Sequence, residues 1–169
     1  MSTRRQPFIN GQIYHIYNRG VDKRDIFSGK NDLSRFIESI KEFNRIEKIN
    51  SLANFRKSKP NPQIEARPLS GVKTKEKEPL VEIIGYCLNP NHFHFILKQI
   101  SDNGISKFMH KLQGSYSYYF NVKNNRSGSL FQGKFKSQII LDENYFNKLI
   151  GYVNKNYLIH NIPENIKIF

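Results

Sequence analysis

The chain has 169 residues, of which 38% are hydrophobic, and this is enough for one folded domain over residues 1–169 with a buried core. Its 27 lysines and arginines outnumber 14 aspartates and glutamates, which gives a net charge of +13. Such a surplus favours nucleic acid as a partner, because neutralised phosphates release condensed counterions, although basic proteins without this role are common. The single cysteine excludes an internal disulfide framework and a cysteine-rich zinc site.

The amino terminus is polar and lacks the long apolar run of a secretory signal. No stretch approaches the roughly 20 consecutive apolar residues that a membrane span requires. These two features predict a soluble, cytoplasmic protein with no membrane partner.

The first predicted elements are a strand over residues 12–18 and a helix that runs to about residue 49. In the strand, His15 shares a face with other apolar and aromatic side chains, and we interpret it as a packed or surface histidine, with metal ligation as the minority alternative. Asn31 or Asp32 is suited to cap the helix. Arg19, just after the strand, could contact phosphate or could simply be solvated.

A polar, basic stretch then separates this helix from the rest of the chain. Residues 50–79 are rich in lysine, arginine, proline, asparagine and serine and show little periodicity. This composition predicts a flexible basic insertion, either solvated or lying along DNA.

Residues 81–97, VEIIGYCLNPNHFHFIL, predict two buried strands joined by a turn at residues 89–91. Because side chains alternate along a strand, His92 and His94 should lie on one face while the phenylalanines that flank them lie on the other. Two histidines on a sheet can be merely solvated, but in this apolar setting they favour a metal site. Cys87, inside the first of these strands, is expected to be an inert buried thiol.

The remaining chain predicts a helix over residues 102–122, a basic loop, a strand over residues 134–141 and a last helix that opens at Asp142. The loop and strand interleave basic and aromatic side chains, a combination that suits DNA backbone neutralisation with base stacking, or an ordinary loop and edge strand. The side chains concerned are Arg126, Phe131, Lys134, Phe135 and Lys136.

Tyr152 and Asn156 lie one turn apart on the last helix and should share a helical face. If this helix crosses the sheet, His92, His94 and Asn156 could hold a divalent ion beside the Tyr152 hydroxyl, and such a site would cut a phosphodiester. Lys148 and Lys155, about one turn to either side of the tyrosine, could stabilise a phenolate, bind DNA or be solvated.

The predicted order of elements is strand, helix, strand, strand, helix, strand, helix. This order favours an α+β fold of the ferredoxin-like kind, an antiparallel sheet with helices mainly on one face.

Four segments together resemble the REP-associated tyrosine transposases, which are single-tyrosine HUH transposases related to the insertion-sequence-200-like enzymes. The segments are YHIYNRG, GYCLNPNHFHFIL, RSGSLFQGKFKS and GYVNKN. The family's histidine, bulky hydrophobic residue, histidine motif matches residues 92–94. Its late catalytic tyrosine matches Tyr152, and its polar metal ligand four residues later matches Asn156.

The resemblance implies the HUH endonuclease fold and a Mg- or Mn-dependent enzyme that cuts and joins single-stranded DNA carrying hairpins. It implies a 5′-phosphotyrosine intermediate on Tyr152, and it leaves both a monomer and a homodimer open. The insertion at 50–79 departs from the family pattern, as does Tyr157, where relatives often carry proline. Tyr118 is the reserve nucleophile.

Two rival functions stay open from the sequence. One is a replication initiator or relaxase-type HUH nickase that uses the same chemistry without transposition. The other is a DNA-binding module that has lost cleavage.

Overall fold

A computed structural model describes residues 7–46 and 78–159, with the side chains of the last helix described as far as Tyr152. The order of helices and strands agrees with the sequence-based expectation, and the predicted insertion at 50–79 lies outside the described residues except for its last two. The bounds are β1 Ile13–Arg19, α1 Lys30–Phe43, β2 Val81–Asn89, β3 His92–Gln99, α2 Gly104–Lys123, β4 Lys136–Ile139 and α3 Glu143–Ile159.

The strands form one antiparallel sheet in the order β2-β3-β1-β4. β2 and β3 are consecutive and form the predicted hairpin, whereas β1 inserts between β3 and β4. The α+β fold with an antiparallel sheet is therefore confirmed. β2 and β4 are the two edge strands of this sheet.

One face of the sheet carries the main core, in which α1 and α2 pack against alternate strand residues. Tyr14 and Ile16 of β1 and Phe93 and Phe95 of β3 point to this face. Helical spacing predicts an apolar face of α2 at Ile105, Phe108, Met109, Leu112, Tyr116 and Tyr119. The first five side chains are 0% exposed and Tyr119 is partly buried against them, so this face is confirmed as core.

Helix α3 packs on the opposite face of the sheet, over a smaller apolar cluster. Leu149 of this helix is buried against Cys87, Ile96 and Ile140. Helical spacing predicts that Phe146, Ile150, Val153 and Tyr157 face the sheet. Phe146 and Ile150 are partly buried in this cluster, while Val153 and Tyr157 lie outside the described side chains. Of the three α-helices in the described residues, two lie on one face of the sheet and one on the other, so these helices lie mainly on one face, as predicted.

Helix α1 begins and ends at positions that the sequence did not predict. It starts at Lys30, after Gly29, and ends at Phe43 instead of near residue 49. The reason for the early end is Asn44, whose Oδ1 accepts hydrogen bonds from the backbone N–H groups of Leu80 and Val81 at 3.0 and 2.9 Å. This residue joins the end of α1 to the start of β2.

Asp32 is not a cap residue as predicted but a buried side chain in the first turn of α1. Its carboxylate accepts hydrogen bonds from the Ser28 N–H at 2.9 Å, from the Tyr119 hydroxyl at 2.9 Å and from Lys123 Nζ at 2.6 Å. Burial by itself would raise the pKa of Asp32, but these bonds outweigh it and hold the pKa below its ordinary value. The carboxylate therefore ties α1 to α2.

Two further features complete the description of the helices. Helix α2 begins two residues later than predicted, after Asn103, which adopts a left-handed conformation with φ 58°.

Within the ranges 7–46 and 78–159, no helix combines the length and apolar character needed to cross a membrane.

Replacing Asp32 by asparagine should lower the free energy of unfolding by about 2 kcal/mol at neutral pH, because a hydrogen bond to a charged group contributes roughly 1.5–3 kcal/mol. Since the folded-state pKa is below the unfolded one, near 3.9, the contribution is present above that value and is lost as the pH falls through the folded-state pKa. The difference between the two proteins should therefore shrink below about pH 4 in urea titrations.

Asp22→Asn provides the control, because this carboxylate is 82% exposed and lies 3.7 Å from Arg24. Its stability should be nearly that of the parent at every pH. A penalty for Asp32→Asn that stays constant into the acid range would contradict the role given to the carboxylate.

Candidate functional site

The two histidines of β3 lie on the face of the sheet that α3 covers. Phe93 and Phe95, which alternate with them, are fully buried on the other face. The antiparallel register places His94 opposite Tyr17 and His92 opposite Arg19, both on β1. The rings of His92 and His94 lie 5.1 Å apart between centroids. The predicted placement of the pair is confirmed.

His15 of β1, which the sequence predicted to be a packed or surface histidine, is joined to this site by hydrogen bonds that the sequence did not predict. It is only 7% exposed and lies diagonally across from His94. Its Nε2 is 2.8 Å from His94 Nδ1, and its Nδ1 is 3.0 Å from the Tyr145 hydroxyl of α3. The side chain therefore links β1, β3 and α3.

We interpret the direction of protons along this link from the partner at its end, since each ring nitrogen of His15 and His94 can donate or accept. The Tyr145 hydroxyl donates to Gln138 Oε1 at 3.4 Å, so its oxygen is left to accept from His15 Nδ1–H. His15 Nε2 then carries the lone pair and accepts from His94 Nδ1–H. His94 is consequently the Nδ1–H tautomer, with its remaining lone pair on Nε2.

His92 is held in the same tautomer by two asparagines of the hairpin turn. Its Nδ1 lies 2.6 Å from Asn91 Oδ1, which can only accept, so Nδ1 carries the proton. Its Nε2 accepts from Asn89 Nδ2 at 2.8 Å. Both histidines of β3 therefore carry their lone pair on Nε2.

Burial keeps the imidazoles of His15 and His94 neutral. Desolvation, helped by the neighbouring His15 and His92, lowers the pKa of His94 to about 4. Desolvation also lowers the pKa of His15. The pKa of Tyr145 is raised, first by burial and then by Tyr17, so its hydroxyl stays protonated. At neutral pH His15 and His94 can therefore act as ligands or hydrogen-bond partners but not as cations.

Tyr152 lies at the rim of the contact between α3 and the sheet, as expected. Its ring meets the His94 ring edge-on, with 5.6 Å between centroids and 83° between planes. The side chain is 44% exposed, so a large substrate can reach it. Position 156 follows one turn later on the same helix, but the Asn156 side chain lies outside those described.

The reserve nucleophile, Tyr118, is not part of this arrangement. Its side chain is 74% exposed on α2, the helix that packs on the opposite face of the sheet. A hydroxyl on that side cannot share a site with His92 and His94.

The cationic side chains predicted to bind DNA fall into separate groups. Arg19 and Lys136 lie on the α3 side of the sheet, and Arg19 Nε donates to Gln132 Oε1. Lys148 is exposed on α3, one turn before Tyr152, and Lys155 lies outside the described side chains. The predicted DNA contacts of these residues stay predictions.

Two members of the basic and aromatic patch have other surroundings. Arg126 donates to Asn121 Oδ1 at the end of α2 at 2.8 Å and to the Ser129 carbonyl of its own loop at 3.2 Å. Phe131 is only 4% exposed, because the loop docks on the end of β1 through a bridge to Gly20. The expectation that Phe131 stacks on bases is therefore wrong, since its ring is part of the core.

The ring nitrogens of His92 and His94 are of a chemical type that binds divalent metal ions. Among the residues that the structure describes, no three histidine, cysteine, aspartate or glutamate side chains are grouped so as to hold a metal. Two neutral imidazoles with Nε2 lone pairs nevertheless provide the ligands that intermediate divalent ions accept, and their Nδ1–H groups are bound by protein acceptors, as is usual around metal-binding histidines. A further oxygen ligand would have to come from elsewhere, and residue 156 is the predicted source.

The hydrogen-bond chain predicts that His92 and His94 are both Nδ1–H tautomers in the metal-free protein at neutral pH. Long-range proton–nitrogen NMR spectra of the histidine-labelled protein report which nitrogen carries the proton. His15→Phe should release His94 from this tautomer and leave His92 unchanged. A proton on His94 Nε2 in the parent protein would contradict the chain.

Among solved structures, the fold is similar to a REP-associated tyrosine transposase bound to a REP hairpin, at a TM-score of 0.58 and 15% identity over 95% of this chain and 75% of that one. A candidate transposase from Deinococcus radiodurans R1 also matches, at a TM-score of 0.47 and 9% identity over 91% of this chain and 97% of that one, and adds no argument. No curated protein matches the chain.

The family assignment comes from the sequence. The family model described as "Transposase IS200 like" matches residues 51–156, which is well over half of the 169 residues and includes both histidines, Tyr152 and Asn156. The chain belongs to the family of IS200-like transposases.

Proposed function

We propose that this transposase is a metal-dependent endonuclease and strand transferase for single-stranded DNA, with Tyr152 as its nucleophile. The observation that carries the proposal is the edge-on contact of the Tyr152 ring with His94, at 5.6 Å between centroids. It brings an exposed hydroxyl-bearing side chain to two neutral imidazoles, in a family whose established activity is transposition. The proposed nucleophile and the two histidines proposed as ligands thus lie on one face of the sheet.

His92, His94 and Asn156 would hold a Mg or Mn ion. When bound, such an ion polarises the scissile phosphate and offsets the charge that develops during attack. The protein's own contribution is to hold the ligands ready. His15 keeps the lone pair of His94 on Nε2, and the hydrogen bond to Tyr145 fixes His15 in turn. Asn91 keeps the lone pair of His92 on Nε2, where it accepts from Asn89 Nδ2, and the ion would replace that hydrogen bond.

The reaction exchanges one phosphodiester for another. The Tyr152 oxygen loses its proton and bonds to phosphorus, the bond from phosphorus to the 3′ oxygen breaks, and that oxygen takes up a proton. The products are a 5′-phosphotyrosine link and a free 3′-hydroxyl. Because the ester is conserved, a 3′-hydroxyl on another DNA end can reverse the step, and this is the strand transfer of transposition.

The proposed substrate is single-stranded DNA that carries a hairpin. The similar transposase is bound to a REP hairpin, and the net charge of +13 suits any such polyanion. Arg19 and Lys136 on the site face, with Lys148 on α3, are the cations that we assign to the strand near Tyr152. The active unit is either a monomer or a homodimer.

Two rivals use the same site differently. A replication initiator or relaxase-type nickase would form the same tyrosine adduct, and the family match favours transposition over it. A binding module without cleavage would bind hairpin DNA and form no adduct.

Tyr152→Phe should remove the covalent protein–DNA adduct down to background, because the nucleophilic oxygen is gone. The measurement is a denaturing gel of labelled hairpin DNA from the gene's own flanks, incubated with Mg or Mn. Chelation of the metal should have the same effect on the parent protein. Tyr118→Phe, which changes an exposed tyrosine on the opposite side, is the matched control and should form the adduct normally.

His15→Phe should slow adduct formation by about 10- to 100-fold, because residues that orient metal ligands typically matter to this extent. Raising the Mn concentration should restore part of the rate, a response that a merely destabilised protein would not give. Ile13→Ala removes apolar packing on the same face of β1 without touching the proton chain, and it should need no extra metal. An unchanged rate and metal requirement in His15→Phe would rule out the positioning role.

A further inference from the structure

A cavity of about 380 Å³ lies apart from the histidine site, on the side of the sheet that α2 covers. It is bounded by the segment before β1, by α2 and by the residues just before β4. Phe8, Phe135, Lys134, His110 and Gln113 contribute to its lining, and none of the described residues that line it is acidic. Its volume falls in the range of small-ligand sites.

Two phenylalanine rings form an ordered apolar wall of the cavity. Phe8 and Phe135 are nearly parallel, with 15° between planes and 6.3 Å between centroids. Phe8 is fixed from behind, because its ring packs edge-on against Tyr14 at 4.8 Å and its carbonyl accepts from Gln99 Nε2 at 2.8 Å. Flat aromatic rings held in this way suit stacking by another flat ring.

The opposite wall presents a polar stripe of α2. Gln113 Nε2 is buried and has no hydrogen-bond partner in the described part of the chain. A buried amide donor without an acceptor is costly, so a ligand that supplies one is favoured. Every nucleobase carries such acceptors on its edge.

The cavity is linked to the histidine site by the edge strand of the sheet. Lys134, in the cavity, precedes Lys136 by two residues, and Lys136 lies opposite Tyr17 in β4. The Tyr17 ring is 5.7 Å from that of His94. A DNA strand that leaves Tyr152 across β4 would therefore meet two exposed lysines in succession and reach the cavity.

We propose that this cavity binds one unpaired nucleotide of the single-stranded substrate, with the base stacked on Phe8 and Phe135, its edge accepting from Gln113 and its phosphate paired with Lys134. The inference rests on the proposed action on single-stranded DNA. It adds a second binding site for the strand, away from the reacting phosphate. Binding at this site depends on the base and involves no cleavage.

The test is equilibrium binding of two fluorescent 12-nucleotide single strands, oligothymidylate and its fully abasic counterpart, by fluorescence anisotropy. All proteins carry Tyr152→Phe and no metal is added, so binding is measured without cleavage. Phe135→Leu and Gln113→Leu should each weaken oligothymidylate binding by about fivefold or more, as expected for loss of one stacked base, and leave the abasic strand unaffected. Lys134→Ala should weaken both strands alike and lower the salt dependence.

Lys107→Ala is the matched control, since this exposed lysine lies on α2 outside the cavity lining. It should leave the ratio of the two affinities unchanged. The proposal is overturned if Phe135→Leu and Gln113→Leu weaken both strands equally or neither, or if oligothymidylate binds no better than the abasic strand. If the parent protein with Tyr152 intact nevertheless forms the tyrosine adduct in the gel assay, the proposed function stands and only the cavity's role is removed.

Discussion

The pairing of β1 with β3 is the constraint on which the site depends. Its register sets Tyr17 opposite His94 and brings His15 within 2.8 Å of the same imidazole. Because side chains alternate along a strand, a slip of one residue would move His15 to the apolar face and bring Ile16 to the polar one. The burial of Ile16 and Phe95 on the other face therefore fixes the register that positions the histidines. The packing of the core and the geometry of the site depend on the same strand pairing.

The two faces of the sheet differ in the side chains that they carry and in the helices that cover them. The face under α1 and α2 is packed with aromatic side chains, whereas the face under α3 combines a small apolar cluster with the histidines. Leu149 anchors α3 over that cluster, and Tyr145 and Tyr152 reach the histidines from the same helix. A single docking contact therefore delivers both the residue that orients His15 and the proposed nucleophile. Any change that shifts α3 on the sheet should affect both together.

Local sequence patterns predicted the features that depend on neighbouring residues. The features that the sequence did not predict depend on contacts between distant parts of the chain. Alternation around Asn89 and His92 predicted the hairpin and its two faces, and helical spacing predicted the core side of α2. The role of His15 depends on pairing with a strand almost eighty residues later, which no local pattern reports. The early end of α1 has the same cause, because Asn44 binds the distant start of β2. Phe131 was misjudged since its burial comes from docking on Gly20.

The central claim is that Tyr152 on α3 attacks DNA beside the histidines of β3. The most direct measurement is mass spectrometry of the trapped adduct after trypsin and nuclease digestion, which locates the nucleotide on one peptide. The account predicts a nucleotide on Tyr152, in the tryptic peptide of residues 149–155 that ends at Lys155. A nucleotide on Tyr118, in the peptide of residues 112–123, would place the chemistry on the opposite side of the sheet and contradict the account.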